Sequence, residues 1–163
     1  MSAKKKKSDS GDGTRVIATN RKARHDYHIE RTLEAGLELR GTEVKALREG
    51  KASLVDSYAA PLNTEMWVYN IHIPPYESGN RFNVDTKRMR KLLLHRAEIN
   101  KLVGIVSQKG YTLIPLRLYF NAANRVKLEL GVCRGKHSYD KRQAIKERDV
   151  KREMDREARQ YHR

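Results

Sequence analysis

Three stretches of this chain alternate apolar and polar residues with a period of two, and no other feature constrains the fold as strongly. Between residues 29 and 39 the apolar residues occupy odd positions, while the even positions carry mostly glutamate. Residues 112–118 and 126–132 show a similar alternation. This period is typical of a β-strand with one face against a core and the other in solvent. The chain is therefore predicted to be mainly β.

Shorter signals predict the remaining elements. The two strands of a hairpin are expected at residues 54–62 and 66–73. Two helices are expected at residues 42–50 and 95–109. In the first helix Thr42 is the predicted N-cap and Gly50 ends the element. We interpret residues 76–91 as a loop, in which Asp85 caps a helical turn leading into the leucines at 92–94. The order is strand, helix, two strands, helix, two strands.

The chain carries a large positive charge. Its 163 residues include 35 Lys or Arg and 20 Asp or Glu, which gives a formal net charge of +15. The excess is +5 in each of the segments 1–27, 28–133 and 134–163. Such a protein has a polyanion as its default partner, and nucleic acid is favoured over an anionic membrane surface.

About five strands with few helices favour a small antiparallel barrel of the oligonucleotide-binding (OB) type, with two or three short helices. An open α+β sheet with helices on one face is compatible with the same pattern. Residues 1–15 include four consecutive lysines and bury too little apolar surface to fold, so we expect a disordered basic arm. The OB-like barrel is assigned to residues 16–133. Residues 134–163 form a basic C-terminal tail that is conditionally helical, because its helix has no apolar face.

Several classes of protein are excluded by what the sequence lacks. One cysteine, Cys133, provides neither a disulfide framework nor a paired-cysteine zinc site, and no metal is expected. No apolar run reaches the roughly 18–20 residues of a membrane span, and no signal peptide is expected. Phosphate-binding loops and nucleophile elbows are missing, so we predict that the protein is not an enzyme. A ribonuclease site assembled from His25, His95 and lysines is the alternative.

Three basic clusters predict where a nucleic acid binds. In residues 20–28 the cations neutralise phosphates and the aromatic rings stack on bases, although Tyr27 is equally compatible with closing one end of the barrel. Residues 87–91 form a phosphate clamp that runs into three leucines, which are core residues unless one of them is exposed to a base. Residues 134–142 form a hinge between the last strand and the tail.

Several sequence blocks are more specific than composition, because they occur together and in one order. They are residues 20–27, 34–37, 41–48, 56–58, 88–95, 110–116, 135–136 and 140–142. In this order they resemble the signature of the small protein B family, the SsrA-binding proteins. The resemblance implies an OB-like barrel that binds the tRNA-like domain of transfer-messenger RNA (tmRNA, or SsrA RNA). It further implies delivery of that RNA, with elongation factor Tu, to stalled ribosomes for trans-translation.

The resemblance also implies a tail that folds on the ribosome and senses the empty mRNA channel. The protein is then expected to be a cytoplasmic monomer with no cofactor and no membrane partner. A general binder of structured RNA, using the same basic surface, is the remaining alternative.

The family signature assigns individual residues to two partners. The expected RNA-binding residues are Asn20, Lys22, Arg24, His25, Tyr27, Glu34, Lys45, Arg48, Arg88, Arg90, Lys91 and Leu93. The expected decoding-site residues of the tail are Lys136, Tyr139, Asp140, Lys141, Arg142, Ile145, Lys146 and Arg148. Glu34 is notable because a carboxylate accepts hydrogen bonds from base amino groups. Tyr139 stands where the family often has a stacking histidine.

Overall fold

A computed structural model describes residues 12–136, 146–154 and 156 of the chain. Its strands are β1 (Arg15–Thr19), β2 (Tyr27–Leu37), β3 (Tyr58–Leu62), β4 (Glu65–Tyr69), β5 (Arg90–Leu93), β6 (Tyr111–Phe120) and β7 (Val126–Gly135). Its helices are α1 (Arg21–Asp26), α2 (Gly41–Arg48) and α3 (Arg96–Val106), with a 3₁₀ segment at Glu77–Phe82. Residues 146–154 are also helical. In this described part, no helix has the length and apolar character needed to cross a membrane.

The strands pair antiparallel, and the pairing closes on itself. β6, β3, β4, β5, β2 and β7 follow one another, and β7 pairs again with β6. β1 shares one edge of β6 with β3. The long β2–β7 ladder runs from Tyr27 opposite Gly135 to Gly36 opposite Lys127. The mainly β, antiparallel prediction is confirmed, whereas the specific OB-like architecture stays a prediction.

The core is built from the apolar faces of the alternating strands. Buried leucines of β6 and β7 pack with α2 and α3 in one large cluster. A second, smaller cluster joins Ala23 of α1 to Ile114, Leu116 and Cys133. β6 is therefore covered on both faces, and Ala23 is the residue of α1 that packs against the sheet.

The structure contains two strands that the sequence did not predict. Arg15, assigned to the disordered arm, begins β1 and pairs with Phe120; residues 1–11 of that arm lie outside the described residues. Asp85 caps a turn as predicted, since its side chain accepts from the Lys87 amide at 2.9 Å and its carbonyl from the Arg88 amide at 3.3 Å, but this turn leads into the second unpredicted strand, β5. Its four residues are too few for alternation to be visible, and its pairing partners are distant in sequence.

Local boundaries also differ from the predictions. Residues 21–26, for which no secondary structure was predicted, form α1. Arg40, not Thr42, is the N-cap of α2, and the Thr42 hydroxyl donates to the carbonyl of Phe82 at 3.3 Å. The longer predicted helix is confirmed as α3, which ends shortly before Gly110 in the left-handed region (φ 93°).

Candidate nucleic-acid interface

A cleft opens where β2 and β5 pair over only two residues. Gly36 lies opposite Leu93 at this short ladder. The cleft has a volume of about 630 Å³ and is lined by Glu34 of β2, Lys127 of β7, and Lys91 and Leu93 of β5. Glu65 of β4 and Arg96 and Glu98 of α3 also line it, so three carboxylates, three cations and the apolar side chain of Leu93 meet in one groove, which we call the Glu34 cleft.

Leu93 forms the apolar edge of the Glu34 cleft. Its exposed fraction is 51%, while that of Leu92 is 1%, because successive strand residues point to opposite faces. A Cβ on Gly36 would lie 3.0 Å from the Leu93 Cβ, so the glycine allows the two strands to approach. The leucines at 92–94 are predicted to be core residues unless one of them is exposed to a base, and Leu93 is exposed.

Glu34 is held from two sides. The Tyr119 hydroxyl donates to Glu34 Oε2, and Lys127 Nζ lies 3.7 Å from Glu34 Oε1. Burial, together with the bond to Glu34, raises the pKa of Tyr119, which keeps its hydroxyl a donor. The Glu34 side chain is still half exposed. An ionised carboxylate has about four lone-pair sites, so Glu34 can accept further hydrogen bonds from a ligand.

Lys127 belongs to this site but was not among the sequence-predicted residues. It lies opposite Gly36 across the β2–β7 ladder. The alternation of residues 126–132 does predict that its side chain points away from the core. Lys127 lies near Glu34 because β2 and β7, about ninety positions apart in the chain, pair with each other. The pattern of a single strand does not indicate this pairing.

The residues of the predicted phosphate clamp, 87–91, differ in how far they are buried. Arg90 is fully buried, and its guanidinium donates to Glu43 Oε1 at 2.8 Å and to the carbonyl of Ile71 at 2.7 Å. It is thus a core residue, which corrects its assignment to RNA binding. Arg88 also donates to Glu43 and is one-quarter exposed, whereas Lys91 forms a partly exposed ion pair of 2.5 Å with Glu65.

Glu43 is the buried anion that neutralises these two arginines. Burial by itself would raise the pKa of Glu43, but hydrogen bonds from Arg88 and the Arg40 amide, with the charge of Arg90, hold it below the usual value. Its exposed fraction is 4%. Through this cluster α2 is tied to β5, the strand that carries Lys91 and Leu93.

Only some of the RNA-binding residues predicted in the α1 segment are exposed. Asn20 is buried: its Oδ1 accepts from the Ala23 amide, and its Nδ2 donates to the carbonyls of Leu54 and Pro115, each at 3.1 Å. This corrects Asn20 from a contact residue to one that positions α1. The exposed predicted residues of the segment are Lys22, Arg24 and His25, with Tyr27 half-buried.

The remaining predicted residues lie on α2 and beyond β7. Lys45 and Arg48 are exposed on α2. The Lys136 ammonium donates to the carbonyl of Arg24 at 3.4 Å, so the end of β7 reaches the α1 segment. Lys146 and Arg148 are exposed in the helical stretch 146–154. The other tail predictions, Tyr139, Asp140, Lys141, Arg142 and Ile145, lie outside the described residues.

Two further features of the described residues concern their potential metal ligands and their cysteine. Within them, no group of three His, Cys, Asp or Glu side chains is arranged to hold a metal ion. Cys133 is buried, and burial raises the pKa of its thiol to about 11. A thiol of that kind is a poor nucleophile at neutral pH.

A closed antiparallel sheet with a mixed-charge cleft and a basic exterior defines the class of small, basic β-sheet proteins. Within that class, the family model described as "SmpB protein" matches residues 17–160. The chain belongs to the SmpB family, and the predicted resemblance is confirmed.

Individual relatives agree with this assignment. An SsrA-binding protein of Acetivibrio thermocellus is 61% identical over 142 residues, covering 87% of this chain and 92% of the relative. One of Caldicellulosiruptor bescii is 55% identical over 161 residues, covering 99% of both. A solved chain from "tmRNA-SmpB: a journey to the center of the bacterial ribosome" is 52% identical, with a TM-score of 0.62, covering 72% of this chain and 82% of that one.

Proposed function

We propose that this chain binds the tRNA-like domain of tmRNA and delivers it to stalled ribosomes for trans-translation. The observation that carries the proposal is the Glu34 cleft. It offers an oriented acceptor for base amino groups, cations for phosphate and the exposed Leu93 for a base or ribose face. Membership of the SmpB family supports tmRNA as the RNA, because the relatives are SsrA-binding proteins.

Binding uses a set of exposed groups on several elements. We assign direct RNA contacts to Glu34, Leu93, Lys91 and Lys127 in the cleft and to the exposed cations of α1 and α2. Asn20 and Arg90 act through the fold, because their polar atoms are bonded within the protein. The contact surface lies on an OB-like barrel assigned to residues 16–133, with β7 extending it to Gly135.

The tail, residues 134–163, is proposed to act at the ribosome rather than on tmRNA. The side chains at 146–154 are exposed on every side of their helix, so the core of the protein does not stabilise it. Such a helix is available to a negatively charged channel, where we propose it reports that mRNA is absent. Elongation factor Tu joins the same complex, the protein acts as a cytoplasmic monomer, and no chemical step is assigned to it.

The proposal is tested in reconstituted translation of a message that lacks a stop codon. With tmRNA present, adding this chain is expected to produce peptides that carry the tmRNA-encoded tag. Omitting the chain should abolish the tag, and a protein of similar charge should not restore it. Tagging that is independent of this chain would overturn the proposal.

A further inference from the structure

The described part of the chain contains one strongly exposed aromatic residue that the Glu34 cleft does not use. The sequence has two phenylalanines. Phe120 is 2% exposed, whereas Phe82, at the end of the 3₁₀ segment, is 68% exposed. A single exposed apolar residue is common on protein surfaces and requires no function. Whether Phe82 has a function therefore depends on the residues around it.

The backbone around Phe82 is held in one position. The Asn83 side chain accepts from the Tyr76 amide at 3.0 Å and donates to the Tyr76 carbonyl at 2.9 Å. Asn80 adopts a left-handed φ of 45°, which is unfavourable for a non-glycine residue. A Cβ on Gly79 would lie 2.7 Å from Asn83 Oδ1. These contacts fix the backbone of the segment, so Phe82 is held in one position at the surface.

The groove beside Phe82 is positively charged. It has a volume of about 510 Å³, and its charged lining residues are Arg40 and Lys45, without a carboxylate among the described lining. The Lys45 ammonium lies 5.5 Å from the centre of the Tyr76 ring, which restrains it near the groove. The Arg81 guanidinium covers one face of Phe82 at 5.1 Å. Charge complementarity therefore favours an anionic ligand with a flat ring.

We propose that this groove binds one unpaired nucleotide of RNA, with its base stacked on Phe82 and its phosphate bound by Arg40 and Lys45. A base and a phosphate are the two chemical groups that a nucleotide presents to such a site, and stacking on an aromatic ring tolerates any base. The inference rests on the proposed function. The nucleotide comes from tmRNA or from ribosomal RNA, which share this chemistry.

The test measures RNA binding by three full-length proteins: wild type, Phe82→Ala and Phe82→Tyr. One arm uses the isolated tRNA-like domain, and the other uses vacant ribosomes. Phe82→Ala is expected to lose about 5- to 150-fold in affinity in one arm, because stacking on an aromatic ring contributes roughly 1–3 kcal/mol per base. Phe82→Tyr should restore it. Val55→Ala, which truncates another exposed apolar residue, is the matched control and should bind normally.

Salt dependence separates stacking from charge. The double variant Arg40→Gln/Lys45→Gln should reduce the slope of log K against log salt by about 0.7, the contribution of one phosphate, whereas Phe82→Ala should lower affinity at all salt concentrations with the slope unchanged. A loss in the first arm assigns the nucleotide to tmRNA, and a loss in the second assigns it to ribosomal RNA. Normal binding of Phe82→Ala in both arms overturns the inference. Failure of the wild-type protein to bind the tRNA-like domain would instead overturn the proposed function.

Discussion

At the scale of single residues, Glu34 is an acidic side chain in the proposed RNA-binding cleft of a basic protein. Its carboxylate is oriented by Tyr119 and lies near Lys127, yet half of the side chain remains exposed. Cations attract any RNA, whereas an oriented acceptor favours bases that present an amino group. Specificity is therefore expected to depend on Glu34 more than on any one lysine of the cleft.

Replacing Glu34 by glutamine tests this role. Glu34→Gln should weaken binding to the tRNA-like domain by about fivefold or more, since the amide oxygen still accepts a hydrogen bond but the roughly 1 kcal/mol by which a charged acceptor exceeds a neutral one is lost. Fluorescence anisotropy with labelled RNA measures the change. The matched control is Glu30→Gln on the same strand, which removes a carboxylate paired with Arg134 outside the cleft. Equal losses for both variants would contradict a specific role for Glu34.

Glu43 has a purely internal role that the sequence did not indicate. Glu43→Ala leaves Arg88 and Arg90 without their anion and should lower the free energy of unfolding by about 3–5 kcal/mol. Urea denaturation at neutral pH measures this value. Glu65→Ala breaks the more exposed pair with Lys91 and should cost no more than about 1 kcal/mol. Comparable losses for the two variants would contradict the burial argument.

The same carboxylate makes stability depend on pH. The pKa of folded Glu43 lies below its ordinary value of 4.5, so folding favours the ionised form. This contribution is fully present above pH 4.5 and is lost as the pH falls through the folded-state pKa. Thermal melts of wild type and Glu43→Gln should therefore converge on acidification below 4.5. A difference in melting temperature that stays constant would contradict this coupling.

At the scale of elements, the sequence predicted the long strands and the longer helix. β2, β6 and β7 have ten or eleven residues each, long enough for their period to be recognised. β1 and β5 are short and gain their pairing from distant partners, so local pattern did not reveal them. The burial of Arg90 follows from the β4–β5 pairing and the position of α2, which is why the local sequence alone predicts a surface cation there.

The tail is an element whose removal should separate two activities. Ending the chain at Arg142 deletes residues 143–163 and leaves every described contact of the Glu34 cleft intact. Affinity for the tRNA-like domain should be unchanged, while tagging on stalled ribosomes should be lost. Anisotropy and the reconstituted tagging reaction measure the two quantities. A truncated protein that loses RNA affinity, or that still tags, would contradict this division.

At the scale of the whole molecule, the charge of +15 should appear as salt dependence. Each phosphate neutralised contributes about 0.7–0.9 to the slope of log K against log salt. Three or more contacts from α1, α2 and the cleft would reduce affinity by roughly 30-fold between about 50 and 200 mM salt. A titration series measures the slope, and a nearly flat dependence would contradict phosphate binding by these surfaces.

Selectivity for tmRNA is the central claim, and a competition experiment tests it most directly. Labelled tRNA-like domain bound to the full-length protein is challenged at moderate salt with excess ordinary tRNA or with unlabelled tRNA-like domain. We predict that the unlabelled domain displaces the label while ordinary tRNA does not. Equal displacement by the two RNAs would show a general binder of structured RNA and would contradict the proposed function.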